Sequence, residues 1–253
     1  MTTTDRRTVL RLGAGLVTAG AFTEGCATSG AAAHPAPSSS GAASEPPAPR
    51  RLPGRAGQLI HGPRTRPRVA LTFHGNGDPA TAKALLTEAE RHGARVTVLA
   101  VGTWLDAHPE MARRVLDGGH DLGNHTLHHL GVNDMSEADA LAEIEGCADR
   151  LRRLTGSIGT WFRPSRAARA SPLVERLARR VGYPHVLSYD VDSLDFTSPG
   201  PDAIGRKVLG EVRAGSVVSL HFGYADTVAA LPAVLEELDR RGLAAVTTTE
   251  LFT

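Results

Sequence analysis

Short apolar runs rich in β-branched residues recur at 68–73, 95–101, 160–163, 185–189, 216–221 and 244–248, and amphipathic segments fill the intervals between them. Runs of this length without a polar face suit strands buried on both sides. The intervening segments, 79–92, 109–118, 136–155, 171–181, 202–213 and 227–241, place apolar residues at helical spacing. Regular alternation of the two predicts parallel strands with helices packed outside them. Ser136, followed by Glu137 and Asp139, is a helix start, and Gly242 is a helix stop. One domain over residues 66–253 takes in the whole pattern, and a chain of that length buries roughly 70% of its unfolded surface.

The residues before it do not read as fold. Asp5-Arg6-Arg7-Thr8-Val9-Leu10-Arg11 precedes a modest Gly/Ala-rich apolar stretch from Leu12 to Phe22. That stretch is far short of the roughly 20 residues a spanning helix needs, so residues 1–30 are expected to be a twin-arginine-type export signal. The protein is accordingly expected to be exported, extracellular or associated with the cell envelope. Cys26 follows Thr23-Glu24-Gly25 and is a candidate for lipid attachment to a membrane, although an aliphatic residue would ordinarily stand where Thr23 does. Residues 31–65, dominated at first by Ala, Pro, Ser and Gly, are expected to be a disordered linker, since such a composition buries too little apolar surface to offset the entropy of ordering.

With a net charge of +1 and its basic residues interleaved with acidic ones, the chain has no nucleic-acid footprint. Cys147 is the one cysteine of the domain, so it can form no disulfide there and is expected to be a small core residue. Aromatic residues make up only 4%, which argues against a sugar groove built from stacked rings. Trp104, Trp161, Tyr189, Phe196 and Tyr224 are the residues available to line one, though most suit the core. A monomer is expected.

Polar residues fall in a pattern of their own. His74, Arg163, Asp190, Asp192 and His221 stand at or just past the ends of predicted strands, and His125 follows the short segment 120–124. In a parallel sheet those ends form one rim, where sites are built. His125 and His129, four positions apart, can grip one transition metal. A helical zinc protease is excluded, because its motif needs Glu where Thr126 stands.

Taken in order, these motifs resemble the polysaccharide deacetylase (NodB-homology) family of metal-dependent carbohydrate esterases. Thr72-Phe73-His74-Gly75-Asn76-Gly77-Asp78-Pro79 is similar to its Thr-Phe-Asp-Asp-Gly-Pro motif, and Gly123-Asn124-His125-Thr126 with His129 to its paired-histidine motif. Phe162-Arg163-Pro164-Ser165-Arg166 resembles Phe-Arg-Pro-Pro-Tyr, and Asp192-Ser193-Leu194-Asp195-Phe196 resembles Asp-x-x-Asp-Trp. Val218-Ser219-Leu220-His221, with Ala230-Leu231-Pro232 and Arg241-Gly242 downstream, is similar to the closing motif. The resemblance implies an α/β fold, a single-domain distorted (β/α) barrel, and hydrolysis of N-acetyl or O-acetyl groups on a polysaccharide such as peptidoglycan or a chitin-like glycan. The alternative is a catalytically inactive relative that binds glycan in the envelope.

The family's chemistry uses a divalent metal, most commonly zinc, with cobalt also suitable, held by two histidines and an aspartate. Here the two motif aspartates are replaced by His74 and Gly75, and an aspartate reappears at Asp78. Two assignments follow, the first slightly favoured. Either Asp78 joins His125 and His129 on the metal while His74 acts as base, or His74 is the third ligand and Asp78 the base; loss of the metal and of activity is the third outcome. The resemblance further implies His221 as catalytic acid, with Asp192 preferred over Asp195 as its carboxylate partner. It implies Arg163 as partner of the base and the backbone N–H of Arg166 as oxyanion donor. His128 is expected to face away from the metal, and Thr126 to brace the loop.

Overall fold

A computed structural model describes residues 47–253, which lie within one compact unit. The expected export signal and the first part of the linker fall outside the described residues. The strands are β1 (Gln58–Leu59), β2 (Arg68–Gly75), β3 (Thr97–Ala100), β4 (Asp121–Asn124), β5 (Val186–Leu187), β6 (Val191–Asp192), β7 (Val217–His221) and β8 (Ala244–Ala245). Between and after them run α1 (Pro79–Arg91), α2 (Gly102–Ala107), α3 (Glu110–Asp117), α4 (Glu137–Thr155), α5 (Pro172–Val181), α6 (Pro201–Glu211), α7 (Ala225–Arg240) and α8 (Thr248–Phe252).

Every strand pairing is parallel, in the order β6-β7-β2-β3-β4, with β8 beside the start of β2. From β4 the path continues through single bridges, Asn124 to Phe162 and Phe162 to Val186, into β5 and then β1. Among the described residues no strand pairing joins β1 to β6. Instead Arg64, after β1, binds Asp190, just before β6, at 2.7 Å. The α/β class and parallel sheet are as expected, and the barrel is distorted at this seam.

The side chains of β2 show how the layers form. Val69, Leu71 and Phe73 join the large core under the helices, while Ala70 belongs to a second cluster with Leu59, Leu99, Trp161, Leu187 and Val217. Successive residues of a strand point to opposite faces, so this second cluster is the inside of the sheet, fed by β1, β2, β3, β5 and β7. Leu251 and Phe252 of α8 join it and plug the end where the strands begin. Fully burying a side chain such as Leu or Val contributes about 1.5–3 kcal/mol.

Several boundaries differ from expectation. Residues 47–65 are not wholly a linker: Gln58 and Leu59 pair with Val186 and Leu187, and His185 holds this segment through Ala56 O at 2.8 Å and Leu52 N at 2.9 Å. The run at 160–163 pairs through Phe162 alone, by isolated bridges to Asn124 and Val186, and the last expected strand stops at Ala245, where a capping box on Thr247 and Glu250 starts α8. Cys147 is buried as expected; burial pushes its thiol up to about 12, and its Sγ lies 3.3 Å from Ala100 O.

Candidate active site

β2 and β7 run side by side in register, with Thr72 opposite Ser219 and His74 opposite His221, and β6 places Asp192 opposite Ser219. Phe73, Leu220 and Val191 pack toward the helices. Alternation therefore turns Thr72, Ser219 and Asp192 inward as one row, with His74 and His221 as the next row toward the rim. Period two along Val218-Ser219-Leu220-His221 is the signal that would have found Ser219, whose Oγ lies 3.4 Å from His74 Nε2.

His125 follows β4 and is fully buried. Its Nδ1 lies 3.0 Å from the carbonyl of Arg163. A carbonyl only accepts, so Nδ1 carries the hydrogen and Nε2 keeps its lone pair. That Nε2 is buried without a hydrogen-bond partner. Burial, then the neighbouring His129, holds His125 well below its ordinary 6.5; burial, then His125 and His221, does the same for His74. Burial, then Arg166, lowers His129 as well. Three neutral imidazoles thus meet, one nitrogen of each within 4.8 Å of the others.

The loops that bring them together are strained. Thr126 (φ 67°) and His129 (φ 59°) follow β4, Arg166 (φ 54°) follows the Phe162 bridge, and Leu194 (φ 56°) and Ser198 (φ 50°) follow β6. Non-glycine residues rarely adopt this region, and it persists where surroundings enforce it. Here Thr126 N donates to Asn124 Oδ1 at 2.9 Å, Thr126 Oγ1 donates to Ser165 Oγ at 2.9 Å, and Ser165 donates to Leu130 O. Thr126 is a brace, as expected. His128 turns away, its Nδ1 2.6 Å from Glu143.

Asp78 does not join the histidines, which corrects the favoured assignment. Its carboxylate caps α1, accepting from Thr81 N at 2.9 Å and Thr81 Oγ1 at 3.0 Å, and it is exposed. Aspartate followed by a proline at the first helical position was the available signal for a cap. Gly75 could not carry a ligand either: a Cβ there would lie 2.9 Å from Val98 Cγ1 and 3.0 Å from Ala100 Cα. At Gly77 (φ 126°) a Cβ would lie 2.6 Å from Gly223 Cα, so the inserted residues turn the loop away against the end of β7. His74, expected as base, is the third member of the cluster.

His221 is paired with Asp195, not Asp192. Asp195 is fully buried and accepts from His221 Nδ1 at 2.6 Å, His221 N at 2.8 Å and Thr227 Oγ1 at 2.7 Å. The pairing fixes Nδ1 as the donor and leaves Nε2 as the imidazole's other nitrogen. The reason Asp192 loses is register: it ends β6 in the row of Ser219, and the left-handed turn at Leu194 carries the chain over before Asp195 drops back beside β7.

Arg163 is likewise not the expected partner of a base. It is fully buried, donating to Leu187 O (3.3 Å), Thr72 Oγ1 (2.9 Å) and Ser188 O (3.2 Å), with its guanidinium 5.3 Å from the Tyr189 ring. Among the described residues no carboxylate lies within 4 Å of it. Burial brings it down to about 10, so it stays charged. It braces the floor of the site. Asp190, which the strand pattern had put on the rim, lies at the other end of β7, on Val217 N at 2.7 Å.

A cavity of about 380 Å³ opens above these rows, lined by His74, His129, Asp192, His221, Tyr224 and Phe196 among others. Phe196, 45% exposed, and Tyr224 both face the His221 ring edge-on. Neutral imidazoles suit zinc and similar ions, and three protein ligands leave room for a reacting group. The orphaned His125 nitrogen and the convergent donor set fit such an ion.

Comparison with known proteins bears on the family and the fold. A family profile described as polysaccharide deacetylase matches residues 61–186. A peptidoglycan-N-acetylglucosamine deacetylase of Bacillus cereus is 30% identical over 194 residues, covering 75% of this chain and 90% of the relative. The crystal structure of a peptidoglycan N-acetylglucosamine deacetylase in complex with a hydroxamic acid-type benzamide superposes with a TM-score of 0.70 at 26% identity, covering 76% of this chain and 91% of that one. A CE4 family pseudoenzyme from Bacillus anthracis shares the fold with a TM-score of 0.72 at 21% identity, covering 77% of this chain and 68% of that one.

Proposed function

Since the chain belongs to the polysaccharide deacetylase family, we propose that it is a metal-dependent hydrolase that removes N-acetyl groups from a cell-envelope glycan of the peptidoglycan or chitin type, releasing acetate. The observation that carries this reading is the convergence of His74, His125 and His129, with its orphaned nitrogen, beside the His221–Asp195 pair. In it the three imidazoles hold a divalent metal, zinc first and cobalt second. When bound, such an ion polarises the acetyl carbonyl and makes water a better nucleophile.

The chain's own groups do the rest. His125 is kept in the ligand tautomer by the Arg163 carbonyl. His221, oriented by Asp195, protonates the departing nitrogen from Nε2. Arg166 lines the cavity beside His129, which suits its backbone N–H to the oxyanion. Phe196 and Tyr224 offer apolar surface to the acetyl group and sugar ring. Export and attachment through Cys26 are part of the same proposal, supported by the sequence of residues 1–30.

A second reading, an inactive glycan-binding protein, is favoured by one observation: His74 and Gly75 stand where the family has its carboxylate pair. One experiment separates the two. The purified chain is assayed for zinc and for acetate freed from N-acetylglucosamine oligomers and from peptidoglycan. Zinc near one per chain together with acetate release supports the hydrolase; metal-free protein that still retains glycan supports the second reading.

A further inference from the structure

We propose that Asp192 is the proton-accepting carboxylate of this site, moved from the end of β2, where the family carries it, to the end of β6. The proposal rests on the hydrolase reading above and names a group that reading lacks. With His74 among the metal ligands and Asp78 capping α1, the motif at the end of β2 supplies no base. Asp195 is committed to His221 and Thr227 and is fully buried. Among the residues lining the cavity, Asp192 is the one carboxylate, and it shares that lining with His74, His129 and His221.

Asp192 Oδ1 accepts from Leu194 N at 3.2 Å, and its carboxylate also meets the side chain of Tyr189. The buried Arg163 has no carboxylate within ion-pair distance; Tyr189, whose ring centroid lies 5.3 Å from the guanidinium, and the charge of Asp192 both help it to keep its proton. A buried positive charge thus lies at the floor of the site, and Asp192 is a carboxylate that acts on it.

The step balances. Water forms its C–O bond to the acetamido carbonyl carbon, one water proton passes to Asp192, and the carbonyl electron pair moves onto oxygen. His221 then gives its Nε2 proton to nitrogen, the C–N bond breaks, the carbonyl re-forms, and acetic acid and a free amine leave. Return of one proton from Asp192 to His221 through solvent restores both groups.

The test compares the full-length wild type with Asp192→Asn, Asp192→Ala, His74→Ala and His221→Ala, measuring zinc content and free amine released from N-acetylglucosamine oligomers and peptidoglycan. Expected are wild-type zinc content in both Asp192 variants, zinc loss in His74→Ala, and a kcat lowered about 10²–10⁴-fold in Asp192→Asn with little change in KM. Added formate should restore part of the rate to Asp192→Ala, because a small carboxylate can occupy the emptied position, and should restore nothing to His221→Ala. Zinc loss from Asp192→Asn, or a kcat within a few-fold of wild type, overturns the assignment of the base alone. A wild type that frees no amine from either substrate overturns the hydrolase reading and this proposal with it.

Discussion

The two ends of the sheet both bury polar groups, and they treat them in opposite ways. At the end where the strands begin, Asp121 is enclosed by partners: its Oδ2 accepts from Thr249 N (2.9 Å), Thr249 Oγ1 (2.8 Å) and Trp161 Nε1 (3.3 Å). Asp190 is similarly held by Arg64, Ser216 and Val217. At the end where the strands finish, His125 Nε2 is buried with no partner, and the loops around it hold Thr126 and His129 in left-handed conformations. A buried polar atom left without a partner costs about 1–3 kcal/mol. Satisfied groups at one end therefore belong to stability, and unsatisfied ones at the other end belong to chemistry.

The sharpest way to break this division is His125→Ala. Zinc binding should vanish and acetate release fall to background, a loss larger than the roughly 10–100-fold that removing a supporting contact costs a metal site. Zinc titration and an acetate assay check it; retained metal would mean the orphaned nitrogen has no ligand role. His221→Ala comes next, with kcat lowered about 10²–10⁴-fold and zinc content unchanged.

The metal-free protein should also lose stability in acid because of the site end. The folded-state values of His74 and His125 lie well below the ordinary 6.5. Above pH 6.5 both states leave these rings neutral. Below it the unfolded chain takes up protons that the folded chain refuses, so stability falls as pH drops through and below 6.5. Urea melts of the zinc-free protein between pH 7.5 and about 5 test this, and replacing His74 should flatten the slope.

At the opposite end, Asp121→Ala should lower stability by about 1–3 kcal/mol in denaturant melts, since the Thr249 and Trp161 donors lose their acceptor, while kcat is unchanged. A fall in kcat without a loss of stability would erase the distinction between the ends. Asp78→Ala is the mildest, a small loss of stability from the missing α1 cap in denaturant melts, with zinc content and kcat at wild-type level.

How far the sequence could be read follows from the same contrast. The alternation of elements was legible because β2, β3 and β7 are buried on both faces and so are continuous apolar runs. Two-residue strands such as β1 and β6 leave no periodic trace. His125, His129 and His221 were legible because each sits at a strand end within a dense motif. The places of Asp78 on the α1 cap, of His74 in the cluster and of Asp195 beside His221 were not. They depend on where a two-residue insertion and a left-handed turn at Leu194 send the chain, and local spacing does not encode direction. Arg163 was located correctly at the site, but its neighbours are backbone carbonyls, which no side-chain pattern announces.

The plug formed by α8 has a kinetic side. Thr248 binds Thr97 through both its N–H (2.8 Å) and its hydroxyl (2.6 Å) across 151 residues of chain, and Arg68 reaches Glu250 O across 182. Contacts between such distant segments form slowly, because the loop entropy is lost before the contact is gained. The interior of the sheet therefore closes late in folding, when the last helix arrives. Until then Trp161 and Leu187 on the inner wall stand open to water, and it is during that interval, rather than in the finished fold, that this chain is most exposed to aggregation.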